Sequence, residues 1–116
     1  MNSVWDKAFK ALSEAGFDVY PPATKIGECT APYVVLKDDG TNQTNSFSST
    51  TTYYTVLCYV PMNQYSTLYD YKESLKEAMK RLEPMLMPMH YETASFYDDT
   101  VKAHMISIQY RNHRKL

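Results

Sequence analysis

The sequence predicts an α+β domain, a mainly antiparallel β-sheet with two helices packed on one face, in the order α-β-β-β-α-β-β. Three observations predict it. Residues 4–15 and 68–82 carry apolar side chains at helical spacing. The stretches between and after them are short runs rich in Val, Thr and Tyr, which favour strands. Turn residues punctuate those runs, so neighbouring strands pair back on one another and leave the helices together on one face.

A chain of 116 residues forms one domain, here with a polar loop or hairpin extension at about 38–52. At this size roughly two-thirds of the unfolded surface is buried on folding, enough for a core without metals or disulfides. Hydrophobic residues at 44% against 22% charged place it among globular chains. The 11 tyrosines suit half-buried sheet faces and protein interfaces, because each has an apolar body and a polar tip. A formal net charge of -1 is not that of a strongly basic nucleic-acid binder. No apolar run is long enough to span a bilayer as a helix, and no membrane partner is expected. The N-terminal residues lack a basic and then apolar leader, so Cys29 and Cys58 are expected to be reduced thiols, Cys58 as a core residue.

In the first helix, Ser3 and Asp6 resemble a capping box, with Asp in place of the usual Glu. Val4, Trp5, Ala8, Phe9, Leu12 and Ala15 form its apolar stripe, and Gly16 supplies the left-handed stop. Phe17-Asp18-Val19-Tyr20 reads as a short strand ended by Pro21-Pro22, and 23–31 as a loop. Tyr33-Val34-Val35-Leu36 reads as a strand bounded by a turn at Asp38-Asp39-Gly40. Residues 41–49 are polar and uncharged, the tip of a long hairpin or a mobile loop. In the strand 50–60, Tyr54, Val56, Cys58 and Val60 share one face. Tyr53, Thr55, Leu57 and Tyr59 share the other, also fairly apolar, which predicts a central strand covered on both faces at least in part.

Ser66 or Thr67 is expected to cap the second helix. Leu68, Tyr71, Leu75, Ala78, Met79 and Leu82 form its apolar face, Lys72, Glu73, Lys76, Glu77 and Lys80 its solvated face, and Pro84 closes it. Met85-Leu86-Met87-Pro88-Met89 is an apolar connection. Residues 90–96 and 101–111 form a last hairpin across Tyr97-Asp98-Asp99-Thr100, with His104, Ile106, Ile108 and Tyr110 on one face. The basic tail from Arg111 is expected to fray.

No catalytic, cofactor or metal constellation emerges. Cys29 and Cys58 lack the spacing of a zinc pair. His104 beside Ile106 reads as a partly buried histidine, since zinc needs three or four converging ligands. Asp38-Asp39 and Asp98-Asp99 sit in turns, where Asp bonds its own backbone. With three glycines in the chain there is no phosphate loop, and no Gly-x-Ser-x-Gly elbow occurs. Asn42-Gln43-Thr44 matches a glycosylation sequon by chance.

The helix ending in Gly16-Phe17-Asp18-Val19-Tyr20-Pro21, then Ala31-Pro32-Tyr33-Val34-Val35-Leu36, the polar loop and Thr-Tyr-rich strand, the helix 68–82 and the closing hairpin 90–110 together form a pattern. It resembles the tail-terminator and head-to-tail joining proteins of long-tailed bacteriophages and prophages, over most of the chain. The resemblance implies a non-enzymatic virion protein assembled in the bacterial host cytoplasm. It implies a ring, commonly of six, that caps the tail tube, meets the head connector or head-completion protein, and lets DNA pass through its lumen without sequence-specific binding. The sheet edges, the 38–52 loop and the tail would then carry the assembly contacts, with Asn42, Asn45, Phe47, Arg111, Arg114 and Lys115 as candidates. A close alternative is another neck protein of the virion, such as a head-completion factor, and two other classes stand beside it. One is a monomeric module binding peptides by strand addition. The other is a small enzyme with a site at an oligomer interface, for which His90 or His104 with Asp98 or Asp99 would be the candidates.

Overall fold

The structure, a computed structural model, describes residues 3–43 and 49–115. Its elements are α1 (Val4–Glu14), β1 (Val19–Tyr20), β2 (Tyr33–Gln43), β3 (Ser49–Pro61), α2 (Leu68–Met79), β4 (Met87–Glu92), β5 (Phe96–Asp98) and β6 (Ala103–Lys115), with 3-10 turns at Met62–Thr67 and Lys80–Leu82. The fold is α+β with a mostly antiparallel six-stranded sheet and two helices, in the expected order, with β5 as a short extra strand within the last hairpin region. The strands run β1-β2-β3-β6-β4, with β5 also on β6. Among the described residues only β1 and β2 pair parallel.

The capping box forms as the sequence predicts. Ser3 Oγ accepts from the Asp6 amide at 3.1 Å, and Asp6 Oδ2 accepts from the Ser3 amide at 3.4 Å. Gly16, at φ +97°, ends the helix in the left-handed region. Trp5 stacks on Phe9 and donates its indole N–H to the Leu36 carbonyl at 2.9 Å, tying α1 to β2. Ala8 and Leu12 of α1 and Leu68, Leu75 and Met79 of α2 share one core with Val34, Leu36, Val56, Cys58, Val60, Ile106 and Ile108. Both helices therefore cover the same sheet face. A second cluster of Cys29, Tyr33 and Ala103, flanked by Tyr20, Val35 and Tyr59, covers part of the other face. β3 is thus central, with the helices over one face and the tyrosine cluster over part of the other. The two free thiols lie on opposite faces of the sheet, and burial pushes Cys58 up to about 12, which keeps it an unreactive core residue.

Several expectations change. Thr67 does not cap α2 with its side chain; its hydroxyl donates to the Gln64 carbonyl at 2.7 Å, because the preceding 3-10 turn already supplies a helical entry. Asp38-Asp39-Gly40 is a β-bulge inside β2 and not the end of the strand. Asp38 Oδ1 accepts from the Gly40 amide at 2.8 Å, and the Thr55 hydroxyl donates to Asp39. The apolar connection already enters β4 at Met87, and Pro88 is accommodated there because β4 is an edge strand. The tail pairs along β3 as far as Lys115↔Ser49, since the long β3 offers it main-chain partners.

Lys72, expected on the wet face of α2, is buried. β4 runs past the helix and brings Glu92, whose two oxygens meet Lys72 at 2.9 Å and Lys76 at 2.6 Å. Those ammonium groups, Lys76 first, hold the Glu92 carboxyl below its ordinary range. A depressed carboxylate contributes stability that is present above its unfolded value, ordinarily 4.5, and lost as pH falls through the lower folded value.

Two outcomes follow from this packing. Leu75→Ala is expected to cost about 2–5 kcal/mol in denaturant unfolding, and a near-neutral result would place α2 outside the core. Glu92→Gln strands the buried Lys72 ammonium and is expected to cost about 1–3 kcal/mol at pH 7. Its deficit relative to the parent should shrink as the pH is taken below 4.5, read from unfolding curves across a pH series. A deficit independent of pH would mean the ion pairs contribute nothing.

Candidate assembly interface

β1 covers β2 only at Val34 and Val35, and β4 begins its pairing with β6 at Arg111. Past those points β2, β3 and β6 continue as a three-stranded arm with no further strand beside it among the described residues, and at its root the Asn112 side-chain amide donates to the Met85 carbonyl at 2.8 Å. The molecule is accordingly elongated, 48 × 26 × 24 Å. Strand of 13 residues such as β3 spans about 43 Å, so the arm and the core share the same continuous strands.

Along the arm apolar alternation gives way to threonine, which keeps strand propensity while its hydroxyl bonds across the ladder. Thr41 and Thr52 hydroxyls lie 2.7 Å apart, and the Thr51 hydroxyl sits 3.0 Å from His113 Nδ1. The outer edge of β2 beyond Lys37 and that of β6 beyond Arg111 have no strand partner among the described residues. Open edges of this kind are templates for pairing with another chain. The bulge and the charges of Lys37, Asp38 and Asp39 guard the root of the β2 edge.

The fold gathers four of the six sequence-selected residues on this ribbon. Asn42 stands opposite Thr51, Arg111 opposite Tyr53, Arg114 opposite Thr50 and Lys115 opposite Ser49. Asn45 and Phe47 lie outside the described residues.

A second surface was not legible in the sequence. At the end of the sheet away from the arm, His104 stands between the rings of Tyr65 (4.7 Å) and Tyr97 (5.2 Å). Its Nε2 lies 3.1 Å from the Met62 carbonyl, which can only accept, so Nε2 carries the proton. The Tyr97 hydroxyl donates to Met62 Sδ at 3.3 Å, and the Tyr65 hydroxyl is 3.2 Å from Ser95 Oγ. Met62, Tyr65 and Tyr97 all remain exposed. Three separate segments supply these side chains, and no spacing in the chain announces that they meet.

Within one chain the fold does not bring His104 and Asp98 together. Asp98 is adjacent to Tyr97 in β5, so its side chain points to the face opposite His104. It is engaged in a turn, accepting from the Thr100 amide at 3.0 Å. His90 sits apart, lining a groove of about 550 Å³ between α2 and β4 with Glu73, Lys76, Tyr91 and Glu92. Among the described residues no three His, Cys, Asp or Glu side chains are placed to hold a metal ion. No helix among them is long and apolar enough to cross a membrane.

No family model matches the chain, and no curated protein matches it. Its fold is similar to that of a chain in a solved structure described as the virion of a native gene transfer agent (GTA) particle. The TM-score is 0.60 at 11% sequence identity, over 98% of this chain and 92% of that one. The likeness is one of fold, and it runs from end to end of both chains with little left over.

Removing 41–49 should leave the domain intact, because the core pairs lie below the bulge and Thr50–Thr52 would remain as a three-residue hairpin loop between Gly40 and Tyr53. The expected result is a cooperative thermal transition and an unchanged near-UV spectrum. Loss of the fold would show that the arm is part of the core.

Proposed function

We propose that this chain is a structural protein of a phage-like virion, a neck subunit that closes into a ring of six, caps the tail tube and joins tail to head. The observation that carries this reading is the fold shared over nearly its whole length with a chain of the gene transfer agent virion. The open strand edges of the arm support it. An edge needs a partner, and cyclic symmetry supplies one to every subunit without unlimited growth. The partners in this reading are further copies of the chain, the tail tube protein on one side and the head connector or head-completion protein on the other. DNA passes through the lumen, and a subunit with a net charge of -1 suits passage without tight binding. The action is assembly, with no bond made or broken. The protein works in the virion neck after assembly in the bacterial cytoplasm.

The test is mass in solution by light scattering after size exclusion, over a concentration series, followed by electron microscopy with purified tail tubes. A discrete closed oligomer near six copies, or tubes whose ends carry a ring, is the expected result. A monomer at every concentration that leaves tube ends bare would overturn the reading.

A further inference from the structure

The sheet has two corners whose chemistries match. The first is the arm. Its residues 40–43, 49–53 and 111–115 include Arg111, Arg114 and Lys115 and no acidic residue. The second is the corner built on β5. It lies at the far end of the long strands, where β3 ends at Pro61, and on the opposite edge of the sheet from β2. There β5 bonds only to β6, so its outer main-chain edge has no strand partner among the described residues. Tyr97 stands on one side of that edge and Phe96, 58% exposed, on the other. Tyr65 and Met62, 47% and 54% exposed, extend the apolar surface. Asp98 and Asp99 border it, the Asp99 side chain 86% exposed with only a 3.9 Å contact to Lys102.

Exposed aromatic surface with a polar rim marks a protein contact. What fits this corner is an extended strand edge bearing positive charge and few bulky apolar groups. The arm has each of these properties, and the two corners carry opposite charge. We infer that the arm of one copy docks on the β5 corner of the next, head to tail. A contact between two different patches is heterologous, so each copy gives one arm and receives one. This deepens the ring reading and rests on it only for what happens when the chain of contacts closes.

The test uses two full-length variants, both checked for folding by circular dichroism. One carries Arg111→Glu with Arg114→Glu in the arm; the other carries Tyr65→Ser with Phe96→Ser at the corner. Each alone is expected to self-associate about tenfold more weakly than the parent, or worse, in sedimentation velocity. Mixed in equal amounts, they should form a species of about 27 kDa, twice the 13.4 kDa chain, and nothing larger. One intact arm and one intact corner remain in such a pair. A photocrosslinking residue in place of Tyr97, in the otherwise unaltered chain at high concentration, should capture arm peptides of a second copy. Variants that assemble like the parent, a mixture that stays monomeric, or crosslinks that run from corner to corner or capture nothing would each overturn the inference. Arm-to-corner crosslinks without any closed ring would keep this docking and sink the ring reading. Closed rings whose crosslinks avoid the arm would do the reverse.

Discussion

The structure depends on β3 having a bonded neighbour on each side along nearly its whole length. β2 pairs with it from Tyr33↔Tyr59 to Gln43↔Thr50, and β6 from Pro61↔Ala103 to Ser49↔Lys115. Burying this strand's main chain is possible because its N–H and C=O groups are satisfied by those two ladders. Every other element is positioned by this three-strand plank. The helices seal the face formed by Tyr54, Val56, Cys58 and Val60, and the tyrosine cluster around Tyr33 and Tyr59 covers part of the other. β1, β4 and β5 are short pieces laid along its margins.

A plank longer than the layers that cover it has two kinds of surface. Where helices cover it, side chains are apolar and the ladder is dry. Where they stop, the same strands must stay paired with little apolar burial to help. Threonine hydroxyls bonded across the ladder take over there, as at Thr41–Thr52 and Thr51–His113. An extension of this kind is only marginally stable by itself. Continuity with the buried part of β3 gives it a fixed direction.

Much of the fold was legible because local chemistry and global packing agree. Ser3 and Asp6 form their box, the stripes of α1 and α2 face the core, and the two faces of β3 divide as their alternation predicts. What was not legible depends on contacts from far along the chain. Lys72 reads as a surface lysine until β4 delivers Glu92 beside it. The tail after Arg111 has no apolar alternation of its own, and its strand is dictated by the free side of β3. Of the interface candidates, the positions on the arm could be picked out by their polarity. The aromatic corner could not, since Met62, Tyr65, Tyr97 and His104 are neighbours only in space.

The bulge at Asp38/Gly40 separates two registers on one strand. Below it, the pairs from Tyr33↔Tyr59 to Asp38↔Tyr54 are fixed by the core; above it, pairing answers only to the ladder itself. Residues gained or lost in matched pairs near the tip would leave the lower register untouched. The reach of the arm is therefore adjustable in steps of paired residues, like a telescoping rod, while the register of the domain beneath it stays locked.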